Sequence, residues 1–231
     1  MKKILVAAAF LLCSFAGISQ KVNRITLTDN GSSSIITFAL DENVVVNISQ
    51  NGNLVEWGVD RYAGRLDNNI QRKLDEYTGR VEYYTENDNE AFRGKIKYIG
   101  KTLITYYASF DNQVFAGRMK SVGSQNIEYF SNFDETASQG KIKQIGQMPF
   151  SYYSSFDNDA FKGKIKSAGS VAITYYSAVE DKGFAGKVKS IGGNPFVYYS
   201  SQEAQVGLRG MLRTGRQVQI INGVTFWVKY N

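Results

Sequence analysis

From residue 94 onward, polar and apolar positions alternate in short runs, and the runs recur at a fixed interval. Gly94-Lys95-Ile96-Lys97-Tyr98-Ile99-Gly100 returns as Gly117-Arg118-Met119-Lys120-Ser121-Val122-Gly123, and again over 140–146, 163–169 and 186–192. The interval is 23 residues each time, so the five copies are read as one structural element stacked on itself. Within a copy, Lys164-Ile165-Lys166 alternates with period two and predicts a strand, which Gly169 ends. Val171 to Tyr176 alternates again, with Ile173 and Tyr175 on one face and Thr174 and Tyr176 on the other. A polar turn over 177–182 then leads through Phe184 to Gly186, where the next copy opens. Each copy is therefore a β-hairpin with a return turn. A lone hairpin is marginal in water, so the hairpins must pair side by side.

Reading down the copies gives columns. Ile96, Met119, Ile142, Ile165 and Val188 are the inward positions of the first strands. Ile104, Ile127, Phe150, Ile173 and Phe196 are those of the second, with Tyr106, Tyr129, Tyr152, Tyr175 and Tyr198 two residues on. Stacked, they predict one continuous apolar face. Ile99, Val122, Ile145, Ala168 and Ile191 have the wrong parity for that face, and a bulge near Ser121 and its equivalents is expected to turn them inward. Pro149 and Pro195 sit at equivalent strand starts, where a missing N–H costs least.

The expected fold is all-β: tandem 23-residue β-hairpin repeats forming an elongated antiparallel sheet or an open β-solenoid. The chain divides into a signal peptide (1–19), an N-terminal β cap (20–58), degenerate repeats (59–93), five repeats (94–206) and C-terminal capping strands (207–231). Tyr62-Ala63-Gly64-Arg65-Leu66 and Tyr77-Thr78-Gly79-Arg80-Val81 echo Phe92-Arg93-Gly94-Lys95-Ile96, and Gly210-Met211-Leu212-Arg213 is a further worn copy. Residues 69–76 are the one stretch read as a short helix.

Composition narrows the setting. Lys2 and Lys3 precede the apolar run Ile4 to Leu12, and Gly17-Ile18-Ser19 puts small residues before a cut ahead of Gln20. That is a secretory leader, so the protein is expected to be periplasmic, outer-surface or extracellular. Cys13 as a lipoprotein cysteine is the alternative, against which stands the bulky Leu12. No later apolar stretch is long enough to span a bilayer. Cys13 is the one cysteine, so a cleaved chain has no disulfide, and the absence of histidine removes the commonest general base and metal ligand. The 27 basic residues outnumber the 21 acidic ones, for a net charge of +6 that falls by two with the leader. That excess is too small to argue for nucleic acid.

Tyr-x-Gly-Arg-Leu/Val at Tyr62 and Tyr77 is similar to the YD repeats of Rhs-type proteins. The 23-residue period with aromatic-x-Gly resembles MORN repeats. Tyr152-Tyr153-Ser154-Ser155-Phe156-Asp157 resembles cell-wall-binding repeats that grip glycans. These resemblances cover residues 60 to 215 and imply a β-hairpin repeat architecture, with glycan binding as an analogy.

Four further columns carry candidate chemistry. Lys95, Arg118, Lys141, Lys164 and Lys187 form one basic column, and Lys97, Lys120, Lys143, Lys166 and Lys189 a second. Alternation puts all ten opposite the apolar face. They are either a solvated face that discourages edge pairing or a cationic track for an acidic polymer. Asp111, Asp134, Asp157, Glu180 and Glu203 recur in the return turns, where they would offset the lysines of a neighbouring unit. Tyr107, Phe130, Tyr153, Tyr176 and Tyr199 face away from the inward tyrosines; on a solvent face they are a platform for sugar rings, and otherwise they brace the sheet or an interface. Asp157-Asn158-Asp159 and the acidic run 86–90 read as Asx turns rather than calcium loops. No metal site, cofactor or catalytic set is assigned: serine lacks a histidine base, and repeated carboxylates suit structure better than a unique glycosidase pair. The expectation is an exported, non-enzymatic repeat protein presenting a binding surface, with an envelope protein or surface polysaccharide as partner. The alternatives are a glycan- or polyanion-binding module and a self-associating adhesin or matrix protein.

Overall fold

The computed structural model describes residues 20–28, 34–62 and 73–230. The leader expected over 1–19 lies outside the described residues, as do most of the echo at Tyr62 and the start of the helix expected over 69–76. Residues 73–76 are not helical: Asp75 forms an isolated antiparallel bridge with Val59.

The fold is all-β. Four strands come from the N-terminal flank: β1 (Lys21–Thr28), β2 (Ser34–Ala39), β3 (Val44–Ser49) and β4 (Leu54–Val59). β5 (Val81–Tyr83) precedes the hairpins, which are β6 (Ile96–Ile99) with β7 (Thr102–Tyr106), β8 (Met119–Val122) with β9 (Gln125–Tyr129), and β10 (Ile142–Ile145) with β11 (Met148–Tyr152). Next come β12 (Ile165–Ala168) with β13 (Val171–Tyr175), then β14 (Val188–Ile191) with β15 (Asn194–Pro195) and β16 (Val197–Tyr198). β17 (Leu212–Thr214), β18 (Val218–Ile221) and β19 (Val224–Lys229) come last. The strands from β5 to β15 form one 11-stranded sheet in strictly sequential order. β15 and β16 are separated only by Phe196, whose N–H donates to Lys189 O at 2.9 Å, and β16 pairs with β17.

Each hairpin closes through a two-residue turn whose first residue is glycine. Gly100, Gly123, Gly146 and Gly169 all have φ near +57°, from 55° to 58°, while the residue after each keeps negative φ. Only glycine enters that region freely, and a turn with this pattern matches the twist of paired strands. The parity problem is solved by a bulge in the first strand. Tyr106 pairs with Met119 and Thr105 with Ser121, so Lys120 is left over. The same skip falls at Lys97, Lys143, Lys166 and Lys189, one residue before the position expected. It turns both ends of each four-residue strand to the core: Met119 and Val122 are both fully buried. All the apolar columns are buried.

The same register extends beyond the five copies. Val81 pairs with Ile99 and Tyr83 with Ile96, as Ile104 pairs with Val122 and Tyr106 with Met119. Residues 81–84 are thus the second strand of a unit, whereas the sequence echo aligned Val81 with a first strand. At the other end, Tyr198 pairs with Leu212 and Val197 with Thr214, again skipping a basic residue, Arg213.

The flanks do not sit at opposite ends of the row as caps. They meet in one six-stranded sheet of order β18-β19-β1-β2-β3-β4, joined by parallel pairing of Ile25 with Phe226 and Leu27 with Val228. This sheet lies over the apolar face of the repeats. Val22, Ile25, Ile36, Phe38, Ile48 and Phe226 share one core with Ile104, Ile127, Ile145 and Ile173. Met119 N donates to Gly52 O at 3.3 Å and Ile142 N to Gln50 O at 2.8 Å. Asn194 Nδ2 reaches Gln219 Oε1 at 2.9 Å, and Asn222 Nδ2 reaches Ser170 Oγ at 3.1 Å. The reason is area: a sheet of this breadth presents more apolar surface than a monomer leaves in water, and strands at its ends would not cover it.

Candidate functional site

The structure separates the two basic columns. Members of the first are half-buried and reach along the sheet to the next unit rather than out to solvent. Lys141 Nζ donates to Gly163 O at 2.5 Å, Lys164 Nζ to Gly186 O at 2.6 Å and Lys187 Nζ to Gly210 O at 2.6 Å. Lys95 and Arg118 donate in the same way to the carbonyls of Gly117 and Gly140. Each cation also lies over the inward tyrosine of its own unit; Lys141 is 5.0 Å from the Tyr152 ring centroid and Lys164 5.1 Å from that of Tyr175. Burial lowers the ammonium pKa of Lys95 and Lys141. The glycine that receives this bond is required for two reasons. At Gly186, φ is +76°, and a Cβ there would sit 2.6 Å from Ala160 O of the preceding loop.

The second column does face solvent: Lys120, Lys143, Lys166 and Lys189 are exposed and Lys97 is half-buried. Each lies over the second aromatic of the preceding unit, with Lys120 at 5.1 Å from the Tyr107 ring, Lys143 at 5.7 Å from Phe130 and Lys166 at 5.3 Å from Tyr153. Two of these lysines also pair with the acidic column, Lys120 with Asp111 at 3.7 Å and Lys189 with Glu180 at 2.6 Å.

Tyr107, Phe130, Tyr153, Tyr176 and Tyr199 are half-buried, wedged between neighbouring units. Tyr107 OH donates to Ile127 O at 2.9 Å, Tyr153 OH to Ile173 O at 3.1 Å and Tyr176 OH to Phe196 O at 2.8 Å, each bond spanning 20 residues. The Tyr153 ring stands edge-on to Tyr175 at 5.9 Å. A further aromatic in the return loop completes the cluster: Phe161 lies 4.7 Å from Tyr153 and stacks on Tyr175 at 6.3 Å, and Phe92, Phe115 and Phe184 repeat the arrangement. These rings lock unit to unit, and they lie under lysine ammonium groups and against neighbouring rings rather than as an open stacked platform.

The most exposed large apolar side chains among the described residues form a column that sequence reasoning passed over. Phe110, Phe133, Phe156 and Val179 recur every 23 residues at the tips of the return loops and are 84, 91, 94 and 88 % exposed. All return loops leave the same edge of the sheet, opposite the glycine turns, so the four tips line up along that edge at roughly two strand spacings, about 10 Å. The signal was present in the recurring Phe-Asp pair.

The tips are held by their own polar side chains. Asp134 Oδ2 accepts from Ser131 N at 2.6 Å and from Ser131 Oγ at 2.8 Å, and Ser131 Oγ accepts from Phe133 N at 3.2 Å. Asp157 and Ser154 repeat this around Phe156. Adjacent loops are also tied together. Glu135 Oε2 accepts from Ala137 N at 3.0 Å while Oε1 accepts from Ser155 N of the next unit at 2.8 Å. Asn89 binds Ser109 N and Asp181 binds Ser201 N in the same way. These donors stabilise the ionised carboxyl: the hydrogen bonds from Ser155 hold Glu135 at about 2, against an ordinary 4.5, and those from Ser131 lower Asp134. The acidic column is therefore loop scaffolding first and a partner for lysine second. Asp157-Asn158-Asp159 is likewise engaged, with Asn158 accepting from Ala160 N and Asp159 pairing with Lys162. Among the described residues no cluster of His, Cys, Asp or Glu is placed to hold a metal ion.

No protein family, curated protein or solved structure matches this chain.

Two outcomes follow. Lys141→Gln should destabilise the protein by about 1–2 kcal/mol, because it removes a charged donor from a part-buried carbonyl, while Lys143→Gln should fall within about 0.5 kcal/mol of wild type. Urea unfolding checks both, and equal effects would contradict the division of the columns. Stability should also depend on acid pH. A carboxyl held low in the fold contributes above its ordinary value of 4.5, and the contribution is lost as pH falls towards about 2. The midpoint of thermal unfolding should therefore drop between those values, less steeply in Glu135→Gln; identical pH profiles would refute the role given to Glu135.

Proposed function

We propose that this is an exported, non-enzymatic protein that works by presenting a binding surface in the cell envelope or outside the cell, built from tandem 23-residue hairpins in an open meander. The observation that carries the reading is the row of Phe110, Phe133, Phe156 and Val179, almost fully exposed on loops that their own side chains hold in place. Large apolar side chains aligned on a rigid edge are costly in water and are the usual mark of a contact surface. Fixing them in advance lowers the entropy lost on binding. The partner favoured from sequence, an envelope protein or surface polysaccharide, stays the reading, with the contact moved from the tyrosine and lysine columns to the loop edge.

A second reading, polyanion binding, keeps one support: the exposed line of Lys120, Lys143, Lys166 and Lys189. The first basic column is spent inside the fold. No helix among the described residues is long and apolar enough to cross a membrane.

In-cell crosslinking of the tagged full chain separates these readings. The surface reading expects a discrete crosslinked product that Phe110→Ser/Phe133→Ser/Phe156→Ser abolishes and Lys143→Gln/Lys166→Gln leaves intact. The reverse pattern would favour the polyanion track. A product indifferent to both sets would reject the loop edge as the contact.

A further inference from the structure

Resting on that reading, we propose that the occupant of the loop edge is a second copy of this chain, and that Phe110, Phe133 and Phe156 form the core of a two-fold homodimer.

The chemistry around the rings selects an apolar contact. Beside Phe133 and Phe156, the serine hydroxyls and aspartate carboxylates are engaged with the loop's own N–H groups. Asp111 likewise accepts from Ala108 N at 2.8 Å. Val179 at the fourth tip offers no ring on which a sugar could stack.

Charge narrows the partner further. Asp111, Asp134 and Asp157 directly follow the three rings, and Lys120, Lys143 and Lys166 stand nine residues beyond them. Lys120 reaches Asp111 at 3.7 Å, and Lys143 helps to lower the Asp134 carboxyl. Both signs thus run along the row, with Glu135, Asp159 and Lys162 beside them. An anionic polymer or anionic bilayer would meet the carboxylates as well as the lysines, and a cationic partner the reverse. A second copy carries both strips and can match each to its opposite.

The area is adequate. Three phenylalanines buried at roughly 150–250 Å² each remove about 1,000 Å² or more from water over two copies. With the loop atoms around them, this approaches the roughly 1,200–2,000 Å² of a stable interface. A contact of like with like is isologous and closes as a two-fold dimer rather than a filament. In a two-fold contact of three rings, whether the rows run parallel or antiparallel, the middle ring, Phe133, meets its own counterpart.

Sedimentation of the purified full chain, alone, over a range of concentrations tests this. The proposal expects a concentration-dependent dimer. Phe110→Ser/Phe133→Ser/Phe156→Ser should shift its midpoint about a hundredfold or more to higher concentration, with unchanged circular dichroism because the rings lie outside the core. In a Cys13→Ser background, Phe133→Cys should give a disulfide-linked dimer on mild oxidation, while Lys101→Cys at the opposite edge should not. A monomer at every concentration, or a dimer unaffected by the triple substitution, would overturn it. A monomer whose in-cell crosslink still depends on the three rings would sink the homodimer and leave the surface reading standing. A monomer co-sedimenting with phosphatidylcholine vesicles through the rings would replace the second copy with lipid.

Discussion

One constraint organises this molecule: a broad antiparallel sheet with one continuous apolar face has to have that face covered. Burial of that face is the main source of stability open to a chain with no histidine or metal cluster among its described residues and whose one cysteine falls in the expected leader. The cover is supplied by the two flanks together. β1 and β19 pair in parallel, so the sheet that closes the core draws its strands from both flanks. The bulge at each second lysine serves the same end. It lets a strand of four residues send both its first and last side chains inward while the lysine between them stays outside.

With the face covered, the remaining interactions join unit to unit. The first basic column reaches the glycine carbonyl of the next unit, the outer tyrosines reach a carbonyl 20 residues on, and Asn89, Glu135 and Asp181 reach across neighbouring loops. Interactions that recur at each step give a stack in which every unit is held by its neighbours. Its functional consequence is at the loop edge. Because the loops are fixed in spacing and conformation, the exposed phenylalanines form a line rather than scattered mobile side chains.

Much of the repeat region was legible in the sequence, because strand alternation reports directly which side chains share a face. Ile96, Ile104 and Tyr106, with their equivalents, are buried as their parity implied, and the wrong parity of Val122 announced the bulge. What alternation cannot report is how far a side chain reaches. Lys141 stands on the outer side by parity, yet its stem is long enough to carry the ammonium to Gly163. Tyr153 faces away from Tyr152, yet its hydroxyl turns back to Ile173. The pairing of β1 with β19 was hidden for another reason: it joins segments some 200 residues apart, and neither shows its partner in its own pattern. The exposed tips were visible as a recurring Phe-Asp, but alternation ends before the loops and gave no indication that these rings point outward.

The central claim is that the flank sheet and the repeat sheet are one cooperative unit. Native-state hydrogen exchange on the full chain tests it most directly. The account predicts that the amides of Ile25, Ile36 and Phe226 and those of Ile104, Ile127 and Ile173 exchange through the same global opening, with the same dependence on denaturant. Flank amides that exchange through a distinctly lower opening, while the repeat amides stay protected, would show that the repeats stand without their cover and would contradict it.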